Sequence, residues 1–284
     1  MLTRRALPLL ALPALARAQP RPVAVASFSI VGDLARQVAG EAWEVRVLAG
    51  PDVDPHNFQP RPSDAQALRG ADVAIRNGAG FDGWFDRLLR GAGFRGRLVT
   101  ATEGLPLLRA APGGHSHGPQ DPHGWQDARL AMGYVRAVAA ALGTDATAIL
   151  TRLEALHGWI GAQFAPIPPA RRVALTSHDA FAHYGAAYGV RFLAPQGVST
   201  AAEPSAQQVA ALIRQVRAER ITAVFLENMA NPATLRRLAQ EAGVTVRGRL
   251  YADALSAPDG PAATYEAMMR HNTTLLAAAM RDGA

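Results

Sequence analysis

The chain has 284 residues, a formal charge of +6 at pH 7, 49% hydrophobic residues and no cysteine. Without cysteine it is neither a disulfide scaffold nor an acylated lipoprotein, so stability must come from a buried core, and the length allows two domains. Its basic residues are all arginine, scattered among Asp and Glu without a basic run, and half of the net charge (Arg4, Arg5 and Arg17) lies in the first eighteen residues; this argues against a nucleic-acid partner.

Those first residues, MLTRRALPLLALPALARA, place two arginines before an apolar run and end on small residues, the layout of a secretory leader. Residues 1–18 are the expected signal peptide, with Gln19 as the mature start and the export route, Sec or Tat, left open. The apolar run is shorter than the roughly 20 residues of a membrane span. A periplasmic location fits an exported chain without cysteine.

From residue 19 to 143, β-branched runs alternate with amphipathic helical stretches: VAVASFSI (23–30), a helix near 31–40, EVRVLAG (44–50), a helix near 63–70, DVAIRNG (72–78) and RLVTA (97–101). This alternation predicts a mainly parallel sheet flanked by helices. The pattern breaks at APGGHSHGPQDPH (111–123), turns helical from about 125 to 165 with an interruption at LGTDAT, and stops at PIPPA (166–170). Strand signals restart at RRVALTSHD (171–179), VRFLAPQG (190–197), RITAVFLEN (220–228) and VTVRGRLY (244–251), with helices near 180–188, 205–218, 232–242 and 261–281. The economical architecture is two similar α/β lobes, 19–143 and 167–284, joined by a long helix.

Open α/β sheets bind ligands just beyond the carboxyl ends of their strands. The metal-competent residues expected there are His56, His178 and Asp253, with His123 closing the loop that leads into the long helix. Three imidazoles and one carboxylate, two from each half, suit a tetrahedral zinc site. His56 and His123 both stand in an Asp-Pro-His triplet. Proline fixes φ near −65° and biases the preceding Asp toward extended backbone, which holds each imidazole at low entropic cost. Asp54 and Asp121 are then either outer acceptors of a ring N–H or plain turn and cap residues. Singly, each histidine reads as an ordinary turn or core residue, and Asp253 as a cap; their joint placement points to a metal. His157, His183 and His271 read as structural. His115 and His117, in GGHSHG, form a candidate metal-collecting loop.

DPHNFQPRPSD, DPHGWQDARL, SHDAFAHYGAAYGV, EPSAQQVAALIRQVRAERITAVFLEN and LYADALS with TYEAMMRHNTTLLAAAM resemble, in this order, successive signatures of the zinc/manganese solute-binding proteins of bacterial ABC importers (the zinc-uptake, TroA-like cluster A-I family). The resemblance runs from about residue 23 to 281. It implies two lobes joined by a rigid backbone helix, near 144–166, with one metal in the cleft. By motif, the ligands fall on His56, His123, His178 and Asp253, the four positions already reached; Glu203 and Glu227 are not carried over as ligands. The long His-rich loop of many zinc-specific relatives shrinks here to GGHSHG, and manganese-leaning relatives tend to have a carboxylate where this chain has His178.

The expected function is periplasmic capture of Zn²⁺ and delivery to an inner-membrane ABC permease, by a monomer and not an enzyme, with a periplasmic metallochaperone as a further candidate partner. The nitrogen-rich donor set favours zinc over manganese, and a manganese-binding homologue of the same type is the nearest alternative. A secreted zinc hydrolase is the rival from another class, but it needs an open position for water, and no HExxH motif is present. A metal-independent scaffold leaves the ligand set unexplained.

Overall fold

The computed structural model describes residues 20–110, 118–200, 204–229 and 231–282. The expected signal peptide, His115, His117 and Glu203 lie outside these residues. Among the described residues no helix is long and apolar enough to cross a membrane.

The first half reads β1 (Val23–Phe28), α1 (Ser29–Ala39), β2 (Glu44–Ala49), α2 (Pro62–Arg69), β3 (Val73–Arg76), α3 (Gly83–Ala92) and β4 (Arg97–Thr100). Its strands form a parallel sheet in the order β2-β1-β3-β4. Strand β1 is apolar almost throughout because helices cover both faces of a parallel sheet. Helix α1 turns Ile30, Val31, Leu34 and Val38 inward. It approaches β2 so closely that a Cβ on Gly32 would stand 2.3 Å from Val47 Cγ2, so only glycine fits there. Helix α3 was not expected from the sequence: it lies between β3 and β4 and buries Trp84, Phe85 and Leu89.

A short 3-10 turn at Gly124–Gln126 leads into α4 (Ala128–Leu142) and α5 (Thr147–Phe164), the interruption falling where LGTDAT predicts it. Helix α4 ends on Gly143 at φ 67°, the left-handed cap that glycine adopts without strain. The 18 residues of α5 make it about 27 Å long at 1.5 Å per residue.

The second half reads β5 (Val173–Leu175), α6 (Ala182–Tyr188), β6 (Arg191–Leu193), α7 (Ala206–Ala218), β7 (Val224–Glu227), α8 (Pro232–Ala242), β8 (Val246–Leu250) and α9 (Tyr265–Asp282). Its sheet repeats the first, parallel and in the order β6-β5-β7-β8. Helix α7 starts at a capping box: Ser205 Oγ accepts from Gln208 N at 3.3 Å, and Gln208 Oε1 accepts from Ser205 N at 2.8 Å.

One large apolar cluster runs from the first sheet through α4 and α5 into α6 and α9, and a smaller one packs α7 and α8 on the second sheet. Helix α9 packs along α5. Tyr265, at its start, donates its backbone N–H to Asp33 Oδ2 at 2.8 Å and its hydroxyl to the Trp125 carbonyl at 2.6 Å. The carboxyl-terminal helix is thereby tied to the first half by buried hydrogen bonds.

Candidate metal centre

Each half delivers polar residues just past the carboxyl ends of its strands: His56 follows β2, His178 follows β5 and Asp253 follows β8, while His123 ends the segment after β4. The structure brings these four together. One donor atom from each can be chosen so that all lie within 4.8 Å of one another. The His56 side chain is 1% exposed, and those of His123, His178 and Asp253 are 0% exposed.

The two Asp-Pro-His triplets adopt the same turn. Asp54 Oδ1 accepts from the His56 backbone N–H at 2.9 Å, and Asp121 Oδ1 accepts from the His123 N–H at 2.9 Å. The paired aspartates then diverge. Asp121 also takes the Nδ1–H of the His123 ring at 2.7 Å, which points Nε2 into the cluster. Asp54 makes no hydrogen bond to the His56 ring, whose Nδ1 is buried without a partner; it turns instead to Asn57 and Thr200.

Glu227, the last residue of β7, was set aside by the sequence reading, and it holds the third histidine. Its Oε1 accepts from the N–H groups of Ser177 and His178 at 2.7 and 3.0 Å, and its Oε2 pairs with His178 Nδ1. The available sequence signal is a carboxylate closing an otherwise apolar strand.

The backbone before three of the four residues is fixed as well. Trp84 Nε1–H donates to the Pro55 carbonyl at 2.7 Å, Asn77 Nδ2–H to the Pro122 carbonyl at 3.0 Å, and Trp125 Nε1–H to the Ala252 carbonyl at 2.9 Å. Gln126 adds a second bond to Ala252 at 2.9 Å. Asn77 is itself held by the Tyr134 hydroxyl at 2.7 Å, in a turn that passes through Gly78 at φ 91°. The wall behind the site is aromatic, with Phe81 4.5 Å from the His56 ring and Trp125 5.2 Å from the His123 ring, centroid to centroid.

Inside this frame the inward atoms have no hydrogen-bond partner: Nε2 of His56, His123 and His178, and both carboxylate oxygens of Asp253. His178 Nε2 and His56 Nε2 do lie 3.0 and 3.2 Å from Asp253 Oδ2, but without the angles of a hydrogen bond. Buried polar atoms left unpaired cost free energy unless something else binds them. Convergent lone pairs at this spacing are what a divalent cation satisfies.

The charges agree with that reading. Burial lowers the His56 imidazole, and Asp253 does not fully offset it. Burial also opposes protonation of His123 and His178, but Asp121 with Asp253, and Glu227 with Asp253, outweigh it, raising His123 and lifting His178 well above the usual imidazole range. Burial pushes the Asp253 carboxyl up, and the neighbouring His178 and His123 more than reverse this, leaving it well below the usual range. In the metal-free fold the Asp253 carboxyl is thus held charged, as a cation ligand must be.

The remaining described histidines have other work. His183 Nε2–H donates to the Asp121 carbonyl at 3.1 Å, His157 Nδ1 lies 3.3 Å from the Tyr188 hydroxyl, and His271 Nε2–H donates to the Arg249 carbonyl at 3.0 Å.

The protein family described as zinc-uptake complex component A, periplasmic, matches residues 24–279. The manganese-binding lipoprotein MntA of Halalkalibacterium halodurans is 32% identical over 87% of this chain and 85% of its own length. The zinc-binding protein TroA of Treponema pallidum is 30% identical over 93% of this chain and 91% of its own. The solved structure of periplasmic zinc-binding TroA from Treponema pallidum superposes with a TM-score of 0.85 at 26% identity, covering 92% of this chain and 99% of that one. With the two-sheet α/β architecture and the match over nearly the whole chain, the protein belongs to this family, the periplasmic metal-binding components of ABC uptake systems.

Proposed function

We propose that this protein captures Zn²⁺ in the periplasm and hands it to an inner-membrane ABC permease. The observation that carries the reading is the buried, converging set of unpaired donors on His56, His123, His178 and Asp253. Three nitrogens and one carboxylate match the tetrahedral preference of zinc, whereas manganese prefers oxygen. A fourth protein donor occupies the position that a hydrolase leaves to water, which supports a carrier over an enzyme.

In this reading residues 19–143 and 167–284 are the two lobes, and residues 144–166, with α5 at their centre, restrict their relative motion. Residues 1–18 direct export. Capture of Mn²⁺ at the same four residues is the second reading, favoured by the relatives named for manganese. Metal analysis of protein isolated from the periplasm without chelator tests both: one equivalent of zinc supports the first, one of manganese the second, and neither metal removes the carrier reading.

A further inference from the structure

The four inward groups are sealed from solvent, so a cation needs a way in. Two cavities flank them. One, of about 340 Å³, touches His56 and is lined by Asn57, Gln59, Phe58, Phe81, Trp84 and Arg87. Its charged lining side chain besides His56 is the Arg87 guanidinium, which repels an incoming dication.

The other, of about 180 Å³, is lined among the described residues by Asp54, Ser177, Gln196, Thr200, Asn231 and Thr234 with Pro195, Pro204, Met229 and Leu235, none of them basic. Asp54 supplies a carboxylate, and Ser177, Gln196, Thr200, Asn231 and Thr234 supply neutral oxygens, the ligands a hydrated divalent ion accepts. Ser177, next to His178, is 5% exposed, and its Oγ has no hydrogen-bond partner. A buried oxygen without a partner on the wall of a polar cavity marks a place where water or an ion is bound.

The Thr200 hydroxyl bridges the lining of this cavity to the turn that carries His56. Thr200 Oγ1 donates to Asp54 Oδ2 at 2.8 Å and accepts from Asn57 Nδ2 at 2.9 Å. Asn57 Nδ2 also donates to Asp54 Oδ2 at 3.0 Å. Gln196 Nε2 holds the Thr200 carbonyl at 3.0 Å. Asp54 is the same carboxylate that fixes the His56 backbone. One threonine of the second half therefore grips the turn that carries a candidate ligand of the first.

We propose that the cavity between Asp54 and Ser177 is the vestibule through which a hydrated divalent cation reaches and leaves the site, and that Thr200 is the positioning residue that latches it. The proposal rests on the metal-binding reading. The latch acts on exchange rate: opening it breaks the bonds of one hydroxyl to a charged turn, while the four inward donors stay unchanged.

The test follows Zn²⁺ transfer in both directions between the full chain and a chromogenic chelator by stopped flow, with equilibrium competition in parallel. Thr200→Val, which removes the hydroxyl at nearly constant volume, should raise uptake and release rates together by about tenfold, the worth of a hydroxyl bonded to a charged group. The equilibrium constant should barely move. Thr200→Ser should restore the original rates. Thr234→Phe, which narrows the vestibule from α8, should slow both rates. Gly83→Leu, at the mouth of the other cavity where an added Cβ meets nothing within 4 Å, should leave them unchanged. Original rates in Thr200→Val, or slowing by Gly83→Leu and not by Thr234→Phe, overturns the vestibule. Loss of affinity at constant uptake rate makes Thr200 a stabiliser of the loaded state and also overturns the latch. Failure of the unaltered chain to bind Zn²⁺ or Mn²⁺ at equilibrium is a separate result, and it removes the metal reading itself.

Discussion

The indole of Trp125 donates a hydrogen bond to the carbonyl of Ala252, the residue before Asp253. Leu255 N–H, two residues beyond, donates to Ser29 Oγ at 2.9 Å, and the Leu255 carbonyl accepts from Asp52 N–H at 2.9 Å. Asp253 belongs by sequence to the second half, yet both flanks of its loop are fastened to the first. His178, the other candidate ligand from the second half, is held by its own half, through Glu227.

Trp125→Phe should keep the aromatic packing and lose this donor. With Gln126 still bonded to Ala252, zinc affinity should fall by about fivefold, the worth of one neutral hydrogen bond. Competition against a chromogenic chelator measures it. Unchanged affinity means that the Ala252 contact has no part in placing Asp253.

His56→Ala, His123→Ala and His178→Ala should each weaken zinc binding by more than the roughly 10–100-fold typical of changes behind the ligands. Asp253→Ala should weaken it too, by less. The same titration decides, and original affinity in His178→Ala sinks the assignment.

Glu227→Gln removes the charge that pairs with the His178 ring and keeps the side-chain shape. Affinity should drop by about 10–100-fold, placing Glu227 between the ligands and Trp125 in effect. A loss as large as that of His178→Ala would make Glu227 a ligand in its own right.

The four candidate ligands were legible in the sequence because each stands where the chain leaves a strand or closes an Asp-Pro-His turn. Glu227 stands at a strand end as well, but nothing in VFLEN tells whether its carboxylate enters the cluster or grips the neighbouring β5 turn; that depends on β7 lying beside β5 in the sheet. Identical triplets gave identical backbone turns, while the ring contact arose only at Asp121 because Thr200 and Asn57 draw Asp54 away. Helix α3 is not legible in the sequence because its 10 residues sit among glycines, at Gly78, Gly80, Gly83, Gly91 and Gly93, which mask a short apolar face.

The pH response has a definite sign. Burial opposes charge on His123 and His178, yet Asp121, Glu227 and Asp253 raise both in the metal-free fold. Their stabilisation is present below the unfolded value of ~6.5 and is lost as the pH rises through the raised values. Burial would lift Asp253, but the histidines hold it down, so its contribution is present above ~3.9 and lost as the pH falls through its lowered value. Zinc must displace the imidazole protons, so the metal-induced rise in melting temperature should shrink as the pH drops from about 8 to 5 and should still be growing above the ordinary imidazole range. Melts across that range test it, and a shift independent of pH would contradict imidazole ligation.

At a thousandfold excess over Kd, zinc should add on the order of 4 kcal/mol to the folded state, a clear rise in melting temperature. Manganese at equal concentration should add less, given three nitrogen donors. An equal or larger shift with manganese reverses the metal preference, and no shift with either removes metal binding from the protein's function.

The aromatic wall has an optical consequence. Trp125 is fully buried, packs 5.1 Å from Phe28 and 4.9 Å from Phe81 by ring centroids, and stands 5.2 Å from the His123 ring. An ion held by the cluster sits within van der Waals range of the residues touching that indole. A divalent ion bound beside the His123 ring should therefore change the intensity or the position of its emission band. Against the emission of Trp43, Trp84 and Trp159, which a Trp125→Phe variant isolates, that change lets occupancy of the cluster be followed without a label.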